Sequence, residues 1–287
     1  MSDRGESRRV LPLRVVAMPQ LMLRALPFVA AAVALKGICL AADLHPLAFN
    51  PLLSGLVAAN VFLLGFLLAG TLSDYKEAEK LPGEIAASLE TICDEALLVH
   101  REKAVPEAPE CIALCADVAT DIRRWIVHET TIKSVMHEIR SFNPIFLVFS
   151  PLIQPGFTTR LKSEQHNIRR IVIRIDTIKS TTFVNAGYAI AELTGVLLIG
   201  GLVLTDLAAK TLESLFFVAV ITLLLTYVFL LIRDLDNPFA YPGGREGAAD
   251  VSLTPLLAAE QRLHEQYEEV MDEARLARAA VRDEVPA

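Results

Sequence analysis

Charge and aromatic rings are both scarce in this chain. Only 21% of its 287 residues are Asp, Glu, Lys or Arg and 7% are aromatic, while 53% are hydrophobic. Mean hydropathy is +0.43. That balance excludes an ordinary soluble protein and points to an integral membrane protein. Basic residues are in deficit, 27 against 34 acidic ones, for a net charge of −7. With no basic stripe interleaved with aromatics, a nucleic-acid partner is excluded, because phosphate backbones are held by clustered Lys and Arg.

Cysteine is also sparse. The four present, Cys39, Cys93, Cys111 and Cys115, do not make a disulfide framework. Cys111 and Cys115 lie one helical turn apart on an apolar stripe shared with Trp125, and no histidine follows at zinc-finger spacing, so buried thiols are expected instead of metal ligands. His128-Glu129 and His137-Glu138 tempt a metalloprotease reading, but on one continuous helix that spacing puts the two histidines on opposite faces. Solvated faces are expected for both. "YPGGREG" at 241–247 lacks the Gly-Lys-Ser/Thr that grips phosphate and reads as a flexible turn. No catalytic set is left, so the reading is of a non-enzyme with no cofactor and no metal.

Long apolar runs are what the chain does have. Residues 25–42, 51–72, 183–206 and 215–232 each approach the twenty or so residues a helix needs to cross a bilayer core. Asn50 followed by Pro51 supplies an N-cap and a first-turn proline for the second run. A cleaved signal peptide is the rival reading of the first run, but Lys36 interrupts it and the leader is long, which favours an uncleaved helix. Gly195, Gly200 and Gly201 suit close helix packing in the third run. Two ionisable residues fall inside spans and form a candidate intramembrane polar site, since such residues are costly in lipid. Lys36 suits snorkelling toward the outer surface, Glu192 lies deeper, and a direct pair would have to bridge about 10 Å of depth.

Positive charge sets the orientation. The arm 1–24 has five arginines, residues 73–182 have fourteen Lys and Arg, and the tail after 232 has six, whereas the loops 43–50 and 207–214 hold only Lys210. By the positive-inside rule both termini and the middle are cytoplasmic.

The middle reads as helical. Ile85, Leu89, Ile92 and Ala96 repeat at helical spacing, as do Cys111, Cys115, Val118, Ile122 and Trp125, and again Ile168, Ile171, Ile175 and Ile178. Pro82, Pro106, Pro109, Pro144, Pro151 and Pro155 are expected to punctuate these helices. "PIFLVFSPLIQP" at 144–155 is too short and proline-rich to span, so a buried or interfacial turn is expected. In the tail, Thr254 and Pro255 open a helix whose seam, Leu263, Tyr267, Val270, Ala274, Ala277 and Val281, suits packing against the middle helices. The fold class expected is an all-α membrane protein of four transmembrane helices with a helical cytoplasmic domain between spans two and three. Its parts are an N-terminal arm at 1–24, a transmembrane hairpin at 25–72, the helical region 73–182, a second hairpin at 183–232 and a tail at 233–287.

"FLLGF" at 62–66 sets two phenylalanines on one helical face, which on spacing alone suits lipid contact, helix contact or the wall of a pore. Followed by "TLSDYKEAEKLPGE", it resembles the pore-helix segment of the bestrophin anion-channel family, including the shorter bestrophin-like domain of bacteria and plants. "LIRDLDNPFAYPGG" followed by "ADVSL" resembles that family's Asn-Pro-Phe element after the last membrane helix. The resemblance implies a homopentamer, a bacterial inner (cell) membrane location, and a channel for small anions such as chloride. Ala58, Phe62 and Phe66 would be the three stacked positions of its hydrophobic neck. Two departures stand out. Ala58 replaces a bulky aliphatic residue at the top of the neck. Only Glu246 precedes Asp250 where calcium-gated animal members carry an acidic cluster, so no calcium clasp is expected. The alternative function is a non-conducting membrane scaffold whose cytoplasmic helices bind a partner.

Overall fold

The computed structural model describes residues 14–44, 46–180, 185–207, 211–247 and 249–283. The N-terminal arm before Arg14, Lys210, and the start of the third apolar run at 183–184 lie outside them. The helices are α1 (Arg14–Ala41), α2 (Pro51–Ala78), α3 (Leu81–Lys103), α4 (Glu107–Ile126), α5 (Ile132–Phe149), α6 (Pro155–Ser180), α7 (Asn185–Leu204), α8 (Thr211–Leu235) and α9 (Thr254–Asp283). Two two-residue strands, β1 (Leu47–Ala48) and β2 (Thr205–Asp206), pair in parallel with Leu47 opposite Thr205. A period-two pattern needs more length than that to show in sequence.

The chain divides into two compact units, Met1–Tyr75 with Thr182–Pro238, and Lys76–Thr181 with Phe239–Ala287. The first holds four helices long and apolar enough to cross a membrane: Leu21–Ala41 within α1, the apolar part of α2, Gly187–Leu204 of α7, and Thr211–Leu235. Helices α1, α2 and α8 run several residues beyond the expected boundaries at one end or both, and α7 ends at Leu204, just short of its expected end. The charge after Leu72 does not end α2, because Asp, Lys and Glu are acceptable helix formers once the backbone ladder is running. Asn50 caps α2, its Oδ1 accepting from the Leu53 N–H at 3.0 Å. Within the unit α1 lies close along α7 and α8, and α7 along α8. Leu64 and Leu67 of α2 share an apolar cluster with Ala191 and Leu198 of α7 and Leu225 and Ile232 of α8. Among the described residues, the glycines expected to permit close packing do not do so. A Cβ on Gly195 or Gly200 would meet nothing within 4 Å, and one on Gly201 only Leu53 Cδ1 at 4.0 Å.

The second unit is a helical bundle whose core follows the apolar stripes of its sequence. Ile85, Leu89, Ile92 and Ala96 on α3, Cys111, Cys115, Val118 and Ile122 on α4, and Ile168, Ile171 and Ile175 on α6 are all buried, while Ile178 is half-buried. Burial pushes the Cys115 thiol well above its ordinary value, which keeps it protonated and inert. α9 packs along α3 and α4 with Leu256, Ala259, Leu263 and Val270 buried. The side chains of Ala277 and Val281 lie outside the described residues. Lys179, near the end of α6, donates to the carbonyls of Trp125 and Ile126 at 3.1 and 3.0 Å and sits 4.8 Å over the Trp125 ring, closing the C-terminal end of α4.

Two local expectations are corrected, and a third gains detail. Pro144 does not stop α5, which continues to Phe149 and leaves only 150–154 as the turn. Phe142, Phe146 and Phe149 are buried along one face of that helix, and their packing outweighs the one backbone bond the proline removes. His128 and His137 do not share a helix: α4 ends at Ile126, His128 has φ of +67° with its Nε2 facing the Ala240 carbonyl at 3.2 Å, and Thr131 caps α5. The 241–247 segment is a turn, as expected, and specific bonds hold it. Gly243 and Gly244 adopt φ of +67° and +74°, the buried Tyr241 donates its hydroxyl to the Val251 carbonyl, and Asp250 accepts from the Gly247 N–H at 2.6 Å.

Candidate functional site

α2 has two unlike faces. On a helix that turns 100° per residue, Asn60, Leu64, Leu67 and Thr71 lie about 140–180° around from Phe62, and all four are buried. Gly55, Ala58, Ala59, Gly65, Phe66 and Ala69 lie within about 60° of Phe62, and all are exposed. Phe62 is 77% exposed and Phe66 68%. Leu63, about 100° around, is partly buried against the α7–α8 cluster. The structure therefore brings Ala58, Phe62 and Phe66 onto one face that no other described residue of the chain covers. The two rings are the only bulky side chains in a stripe otherwise made of Gly and Ala. Small residues of that kind let neighbouring backbones approach closely.

Lys36 and Glu192 are not brought together. Lys36 does not snorkel: it is fully buried, and its Nζ donates to the carbonyls of Val203 at 3.1 Å and Thr205 at 2.6 Å. The ammonium thus serves carbonyls at the C-terminal end of α7, where the helix dipole is negative. Glu192 lies on an exposed position of α7.

A polar pair that the sequence reading did not single out joins α2 to α7. Asn60 Nδ2 donates to Thr194 Oγ1 at 2.8 Å. The signal was present, an amide inside an apolar run, but its partner lies 134 residues away.

Glu246 is exposed, the Asp250 carboxylate accepts from Gly247, and among the described residues no three His, Cys, Asp or Glu side chains stand where they would share a metal ion.

No family model matches the sequence, and no curated protein matches it. Solved structures do match the fold. A bacterial bestrophin homologue from Klebsiella pneumoniae superposes with a TM-score of 0.66 at 14% identity, covering 88% of this chain and 98% of that one. A singly substituted form of that homologue gives 0.68 at 14% identity over 88% and 98%. A structure described as a membrane protein gives 0.66 at 12% identity over 90% and 100%. Over the 88% of its length that superposes, then, this integral membrane chain, with four apolar helices and a second helical unit made of Lys76–Thr181 and Phe239–Ala287, has the fold of the bacterial bestrophin homologues.

Proposed function

We propose that the protein is a bestrophin-like channel, a homopentamer of a bacterial inner membrane that passes small anions such as chloride along an axis lined by α2. The observation that carries this reading is the bare α2 stripe: two exposed phenylalanines among Gly and Ala on one face, with the opposite face packed. A lipid-facing helix has no use for that alternation, whereas a ring of copies has. Gly55, Ala58, Ala59, Gly65 and Ala69 let the helices converge, and Phe62 and Phe66 form two apolar collars about 6 Å apart in depth. Each collar withholds polar ligands from a hydrated ion and excludes water when narrow, which gates conduction without charge. Ala58 makes the third and widest level. One Asp250 carboxylate oxygen accepts from the Gly247 N–H and only Glu246 precedes it as an acidic neighbour in the turn, which supports opening that does not require calcium.

Reconstitution of the purified full chain into planar bilayers tests the reading. Steady current across an otherwise tight membrane is expected, unchanged when calcium is chelated. A silent bilayer contradicts the channel and favours a scaffold whose helical unit binds a partner. A current that chelation abolishes and calcium restores contradicts the calcium-independent opening.

A further inference from the structure

Asn60 stands directly behind the neck, about 160° around α2 from Phe62. It is only 3% exposed. Its Nδ2 donates to Thr194 Oγ1 at 2.8 Å, and Thr194 in turn donates to the Ile190 carbonyl at 2.8 Å, so the amide is tied to the backbone of α7 through a single hydroxyl. The other half of the amide is unserved: Asn60 Oδ1 is buried and meets no donor.

An amide placed like this is poor glue. An orphan acceptor among apolar side chains opposes folding, and a leucine of similar size would pack beside Leu64 and Leu67 without that penalty. What a lone polar pair in an apolar helix seam does supply is register, as a single buried asparagine does in coiled coils. α2 needs such a device more than its neighbours. α1, α7 and α8 lie close along one another, whereas the α2 backbone makes few close approaches and is held through side-chain tips. Leucine tips slide past each other at little cost, while a hydrogen bond fixes one rotation and one height.

We propose that Asn60 and Thr194 form the rotational latch of the pore helix, a positioning pair that holds α2 with its Phe62 face turned away from α7. The inference rests on the reading of that face as the pore wall. It adds that the direction of the face is set by one hydrogen bond and not by apolar packing. The latch touches no ion.

Thiol labelling tests it on the reconstituted full chain, with the four buried native thiols as background. Phe62→Cys and Leu63→Cys are each reacted with a small water-soluble maleimide, which reads the accessible face whether or not current flows. Without further change, position 62 should react several-fold faster than position 63. Thr194→Val, which keeps the shape and removes the acceptor, should bring that ratio toward one; because it also leaves the buried Asn60 amide unpartnered, the melting temperature is read on Asn60→Leu, where it should be unchanged or raised while the ratio again falls toward one. Thr194→Ser should preserve the ratio. If Thr194→Val fails to assemble, Asn60→Leu reads the same quantity. A ratio that survives in both variants overturns the latch alone, as does a ratio lost in Asn60→Leu together with a lowered melting temperature, which is the mark of ordinary packing. Equal labelling at 62 and 63 before any latch substitution overturns the pore-face reading and the latch with it.

Discussion

A lysine with no exposed surface inside an apolar helix has to be accounted for by what its ammonium touches. Lys36 reaches two backbone carbonyls, of Val203 and Thr205, at the point where α7 passes into the strand that pairs with Leu47–Ala48. It ties α1 to the far end of α7 and supplies donors to carbonyls that the helix leaves unserved. Lys36→Met keeps the length and removes the donors, so a loss of about 1–3 kcal/mol is expected, read as a lowered melting midpoint in detergent. Leu35→Met, at an exposed neighbour, should leave the midpoint where it was. An unshifted midpoint for Lys36→Met would mean the two bonds are incidental. The sequence marked Lys36 as anomalous where it stands, but not what it binds, and Asn60 was not singled out. The acceptors of Lys36 are main-chain oxygens, which carry no residue signature, and that of Asn60 is one threonine on a helix far along the chain.

At the scale of elements, periodicity did most of the work. The stripes on α3, α4 and α6 became buried cores because each is long enough to outvote local exceptions. Pro144 shows the opposite case. Its local rule predicted a break, and three phenylalanines on the same face overrode it. The packing of α9 on α4 also has a polar fastening that periodicity does not reveal. The Glu260 carboxylate accepts from Arg123 Nε at 2.8 Å and from the Thr120 hydroxyl at 2.8 Å. Burial pushes the Glu260 carboxyl up, but the hydrogen bonds from Arg123 and Thr120 outweigh it and hold it below its ordinary value. Because the folded value is the lower one, this stability is fully present above the unfolded carboxylate range and is lost as pH falls through the folded value. Glu260→Gln should therefore cost about 1–3 kcal/mol at neutral pH, and flatten the acid side of the stability profile. Thermal melts of both proteins from neutral pH to strong acid check this. Parallel curves would remove Glu260 as the fastening between the two helices.

For the whole molecule, the fold was legible because two kinds of signal agreed: four runs of membrane length, and the "FLLGF" segment inside the second run with "DNPF" just after the fourth. The orientation rests on the excess of Lys and Arg in 73–182 and at both ends, and predicts that Ser163, which is exposed in the second unit, faces the cytoplasm with the N-terminus. Ser163→Cys and Ser2→Cys should resist a membrane-impermeant thiol reagent in intact cells and react once the membrane is opened. Reaction of either in intact cells would reverse the orientation. The neck residues were legible as a set because Ala58, Phe62 and Phe66 follow one helical face, whereas the Gly and Ala stripe around them became significant only once it proved bare. Single-channel recording of neck variants against a control on the packed side tests the central claim most directly. Phe62→Ala and Phe66→Ala should each raise leak or open probability with assembly intact, since each removes one apolar collar, and Leu63→Ala should change conduction far less. Phenylalanine variants that conduct like the parent, with conduction altered by Leu63→Ala, would place the pore on another face of α2 and contradict the account.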